Sequence, residues 1–64
     1  MCLSAVYDIS GGKEKLMCEH TTSLNVDGNA ITFTDIMGDE IVIDGVLKSI
    51  DLVKNIILVE SKTG

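Results

Sequence analysis

The stretch Leu24-Asn25-Val26-Asp27-Gly28-Asn29-Ala30-Ile31-Thr32-Phe33-Thr34 decides the fold class. Asp-Gly standing between two β-prone runs is a strong hairpin signal, because glycine readily adopts the positive φ that a tight two-residue turn demands. The rest of the chain has the same character. Val and Ile account for 14 residues and Thr for 5 more, against 2 Ala, and branching at Cβ favours a pleated strand over a helix. The expectation is an all-β fold: one domain over residues 1–64, a small β-barrel of about five to seven short strands.

Outward from that hairpin, turn signals recur at Ser10-Gly11-Gly12, Gly38-Asp39, Asp44-Gly45 and Lys54-Asn55. Such short, regular punctuation is a barrel or meander pattern. Alternation assigns Leu3, Ala5 and Tyr7 to the inward side of the first strand and Leu16, Cys18 and His20 to that of the second. Ile31 with Phe33, and Ile41 with Ile43, are the inward pairs further on. The segment 46–53 is ambiguous, since Val46, Ile50, Val53 and Ile57 also fall at helical spacing. Its β-branched residues and the preceding Gly45 favour a strand, with Lys54-Asn55 turning into the last one. That last run, Asn55-Ile56-Ile57-Leu58-Val59-Glu60, is apolar on both faces. A strand of this kind needs cover on its second face, and a second subunit is one source of it.

With 64 residues, 45% hydrophobic and 23% charged, and a mean hydropathy of +0.34, the chain has ample apolar surface to fold. At this size a lone core supplies only roughly 3–5 kcal/mol, so a disulfide, a metal or a partner subunit is normally recruited. The formal charge is −5, from 5 Lys, no Arg and 10 acidic residues. The basic footprint of a phosphate-backbone binder is missing, and Tyr7 and Phe33 are the only aromatic residues, which leaves no base-stacking platform. Nucleic acid is an unfavoured partner. No basic leader with an apolar run stands at the N-terminus, and nothing approaches the ~20 apolar residues of a membrane-spanning helix. The expected compartment is the cytoplasm, where thiols stay reduced, so Cys2 and Cys18 are read as free thiols or ligands and not as a disulfide.

Cys2 is the most informative position. A thiol beside the initiating Met is an unusual packing residue, because chain ends are normally mobile. As a ligand it would offer a thiolate together with a nitrogen of its own backbone, closing a chelate ring. The α-amine serves only once Met1 is removed; otherwise the donor is a peptide nitrogen. Thiolate plus strong-field nitrogen favours a square-planar ion such as Ni(II) or Cu(II), whereas tetrahedral zinc wants more thiolates or imidazoles. One Cys2 per chain leaves a four-coordinate site half empty, and a two-fold dimer would complete it. The plainer alternative is a small hydrophobe in an N-terminal strand.

Cys18-Glu19-His20 is a weaker candidate. In a strand Cys18 and His20 share a face and could reach one ion, yet Cys18 also continues the apolar face of Leu16, as buried cysteines do. Asp35, Asp39, Glu40, Asp44 and Asp51 fall mostly at strand ends and turns, without the spacing of a calcium loop. His20 is the only histidine, and no nucleophile elbow, P-loop or dinucleotide fingerprint occurs, so no enzyme is expected.

Taken in order, Met1-Cys2, the first strand ending at Tyr7-Asp8, the Val26-Asp27-Gly28 hairpin, the Thr34-Asp35-Ile36-Met37-Gly38-Asp39-Glu40 connection and the closing Ile50-Asp51-Leu52 and Ile56-Ile57-Leu58-Val59-Glu60 segments resemble CooT. This is a family of small nickel-binding accessory proteins associated with carbon monoxide dehydrogenase maturation. The resemblance implies an SH3-like small β-barrel, a homodimer, and Ni(II) held by the cysteine here numbered Cys2, one from each subunit. It does not extend to Cys18 or His20, whose roles stay open. Alternatives are a metal-independent interaction module or a small RNA-binding protein; the acidic, Arg-free composition speaks against the latter.

Overall fold

A computed structural model of the protein describes residues 3–62. Its five strands are β1 (Ser4–Asp8), β2 (Lys15–Asp27), β3 (Ala30–Asp35), β4 (Glu40–Asp51) and β5 (Ile56–Ser61), with one 3-10 turn at Ser10–Gly12 between β1 and β2. They form a closed barrel in chain order. Neighbouring strands are antiparallel, except that β1 and β5 run parallel and complete the ring. The expected all-β barrel is therefore present, with five strands.

So few strands close only because two of them change partner along their length. β2 pairs with β1 over residues 15–21, then with β3 from Thr21 to Asp27, with a register shift between Thr21 and Ser23. β4 pairs with β3 over residues 40–44 and with β5 over residues 45–51. Gly45 stands at that second change of partner, where a Cβ would run into the Glu60 carbonyl oxygen, with Glu60 C and Ser61 Cα each 3.0 Å away. The expected turn at Asp44-Gly45 is accordingly a continuous strand. The glycine serves close backbone approach at a bend and does not reverse the chain. The residues of β4 that also fit a helical period lie in the strand, as their branching favours.

The hairpin forms where Asp27-Gly28 marks it: Asp27 pairs with Ala30, and Gly28 has φ 61. Positive φ at only the first of the two loop positions is the pattern of a type II′ turn. Asn55, φ 58, completes the Lys54-Asn55 turn into β5.

The core is Val6, Cys18, Ile31, Phe33, Ile57 and Val59, with Met17, Leu24, Ile41, Ile43 and Leu47 packed around it. The Ile31/Phe33 and Ile41/Ile43 facings hold. Of Leu16, Cys18 and His20 only Cys18 is inside; Leu16 is 48% exposed and His20 lies in solvent. The facing of β1 is reversed. Val6 lies opposite both Cys18 and Ile57 and is fully buried, and Asp8 shares its side, while Leu3, Ala5 and Tyr7 are only half-buried. A charged Asp8 on the core side disguises the true periodicity. On β5, Ile57 and Val59 are buried and Ile56 and Leu58 half-buried.

Candidate functional site

Cys2, the predicted metal ligand, lies outside the described residues. The structure does define the rim from which β1 begins. Ser4 lies opposite Thr21 of β2, and Ala5 lies opposite Ile56 of β5. The Ala5 N–H donates to the carbonyl oxygen of Asn55 at 2.9 Å, so the β4–β5 turn flanks the start of β1 on one side. On the other side Thr21 pairs in turn with Asp35, and the Ile36 N–H donates to the His20 carbonyl oxygen at 2.9 Å. This brings the β3–β4 turn to the same rim.

Both turns are built on an aspartate. Asp35 Oδ1 accepts the N–H groups of Met37 at 2.8 Å and Asp39 at 3.1 Å. Asp51 Oδ1 accepts those of Val53 and Lys54, each at 3.0 Å. A carboxylate that takes two backbone donors organises a tight turn locally, and this is the use the structure makes of these two acidic residues. The turn tips are apolar and open: Met37 is 80%, Leu52 79% and Val53 92% exposed.

Between the start of β1 and the bend of β2 lies an open cavity of about 140 Å³, lined by Ser4, Thr21, Thr22, Ser23, Leu24 and Ile57. Its wall is dominated by hydroxyls. Thr22 Oγ1 donates to the Thr34 carbonyl oxygen at 3.0 Å, whereas the buried Thr21 Oγ1 has no partner among the described residues.

Cys18 and His20 do not converge. The Cys18 thiol is buried in the core, while His20 is exposed with Nε2 3.9 Å from Glu19 Oε1. No group of three or more His, Cys, Asp or Glu side chains among the described residues is arranged to hold a metal ion. A role of Asp8 is visible only in three dimensions. Its Oδ1 accepts the N–H of Ser10 at 2.9 Å and that of Ser61 at 3.2 Å, tying the β1 end to the β5 end. The Ser10 bond, reinforced by that to Ser61, holds its carboxyl below the usual carboxylate range although burial opposes this.

The family model described as CO dehydrogenase accessory protein CooT matches residues 1–60. The chain belongs to the CooT family. The matched span begins at residue 1 and so includes Cys2. Among solved structures, the chain is similar to a protein assigned to CooT from Carboxydothermus hydrogenoformans, at 28% identity and a TM-score of 0.85, over 95% of this chain and 98% of the other. None of the curated proteins compared matches it. As a CooT member the chain is an accessory protein connected with CO dehydrogenase, and no helix among its described residues is long and apolar enough to cross a membrane.

Proposed function

We propose that this CooT protein is a metallochaperone-like nickel carrier of the cytoplasm. It holds Ni(II) through the Cys2 thiolates of two subunits and supports nickel delivery to carbon monoxide dehydrogenase. The observation that carries the reading is a thiol at position 2 inside the span that matches the CooT family. Two further features support it. The core thiol Cys18 is sequestered, which leaves Cys2 as the chain's other sulfur of thiolate type. A chain with a formal charge of −5 favours cationic cargo.

The ion is cargo, and Cys2 would supply thiolate with a backbone nitrogen as the second donor, a soft and strong-field set that suits Ni(II). Binding displaces the thiol proton, whose ordinary pKa is about 8.5, so affinity falls as pH falls. A Ni(II) titration of wild type and Cys2→Ser tests the assignment. Thiolate-to-nickel absorption in the wild type and its loss in the variant, with affinity reduced at least about tenfold, is the expected result. Equal affinity and equal absorption in the two proteins would overturn it.

A second reading, a metal-independent interaction module, draws on the open apolar turn tips Met37, Leu52 and Val53. The same titration separates the two, because that reading predicts no thiolate-dependent nickel absorption while dimerisation persists.

A further inference from the structure

The reversed facing of β1 bears on the residue two before Ser4. Alternation along a strand sets every second side chain on one face, and in β1 the core face is the one that carries Val6 and Asp8, both buried. Ser4 belongs to that face. It lies opposite Thr21 of β2, and both residues line the open cavity at the start of the strand.

That cavity holds an unmet hydrogen-bonding group. Thr21 is only 4% exposed, and its Oγ1 is buried without a partner among the described residues. A buried hydroxyl left so costs on the order of 1–3 kcal/mol, and native proteins seldom leave one unmet. The course of the chain narrows what could meet it. After Ser61 the chain leaves the barrel beside Asp8 and Asp44, past the end of β1 remote from Ser4. Residues 1–2 instead lead directly into Leu3 and Ser4, beside Thr21. Two extended residues span roughly 7 Å, a length on the scale of a cavity of about 140 Å³.

We propose that β1 continues back through residue 2 on the same alternation, which seats the Cys2 sulfur in this cavity, and that the Thr21 hydroxyl donates to the Cys2 thiolate. Thr21 is then a positioning residue for nickel. The proposal rests on the Cys2 metal site put forward above and names what holds that ligand in place. No carboxylate among the described residues lines the cavity to compete for the hydroxyl. A thiolate that accepts a fixed hydrogen bond keeps one orientation toward its ion, and outer partners of this kind commonly change metal affinity by about 10–100-fold.

The test reads placement and metal separately. In metal-free wild type, NMR is expected to show through-space contacts between the Cys2 β protons and the Thr21 methyl. In a Ni(II) titration followed by thiolate-to-nickel absorption, Thr21→Val keeps the side-chain shape, loses the hydroxyl and should bind at least about tenfold more weakly. Thr21→Ser keeps the hydroxyl and should restore binding to within about threefold of the wild type. Urea unfolding of metal-free Thr21→Val should match the wild type, because a protonated thiol is only a weak acceptor for the hydroxyl that is lost; a packing role would lower stability and leave nickel affinity alone. Should Thr21→Val fail to fold, the wild-type contacts decide. Thr21→Val that binds nickel as tightly as the wild type, or a wild type without the Cys2 to Thr21 contacts, would overturn the seat and leave the nickel assignment standing, since Cys2→Ser decides that one. A wild type that shows the contacts and takes up no nickel would overturn the metal reading and, with it, the role of Thr21 toward the ion.

Discussion

Cys18 is a packing residue, one of six side chains that make the buried core. Cys18→Ala should lower stability by about 1–2 kcal/mol in urea unfolding, as loss of a small buried group does, and leave nickel uptake unchanged. A fall in nickel affinity on that substitution would place Cys18 in the site. Asp8 supplies a pH signature. Its carboxyl lies below the ordinary value when folded, so the unfolded chain takes up the proton first. The stabilisation is complete above the unfolded value of about 3.9 and is lost as pH falls through the lower folded value. In Asp8→Asn the contribution is absent at neutral pH and the acid loss is shallower, which urea unfolding across the acid range would detect. Neither role is fully legible in the residues. Cys18 reads as buried because it continues an apolar face, but nothing local marks Asp8, since one of its partners, Ser61, lies 53 positions away.

The elements depend on a few positions where backbone meets backbone. Gly45→Ala would drive a methyl into the Glu60 carbonyl oxygen. We expect a loss of about 2 kcal/mol or more, measured by urea unfolding, because the obstacle is backbone and cannot rotate aside. Asp35→Ala and Asp51→Ala each remove an acceptor shared by two N–H groups. About 1 kcal/mol apiece is expected, with faster amide exchange at Met37 and Asp39 or at Val53 and Lys54. The hairpin at Asp27-Gly28 and the turn at Lys54-Asn55 were legible because their signals are local. The continuation of β4 through Gly45 was not, since a glycine that permits close approach to Glu60 looks the same in sequence as one that reverses the chain. The facing of β1 was hidden likewise, because its parity is set by Cys18 and Ile57 across two ladders and not by its own five residues.

For the molecule as a whole, the described residues close a five-stranded ring around a core of six buried hydrophobic side chains, a small reserve of independent stability for a chain of 64 residues. The proposed second subunit would meet that shortage, with one Ni(II) shared between two Cys2 thiolates. The all-β class followed from composition and turn spacing alone, whereas the ligand residue and the dimer came from one thiol in an unusual place and from a family resemblance. Native mass spectrometry of wild type and Cys2→Ser, with and without Ni(II), tests this centre most directly. The expected result is a wild-type dimer that gains a single nickel ion and a Cys2→Ser dimer that gains none. Nickel taken up equally by both proteins, or bound one ion to each monomer, would contradict it.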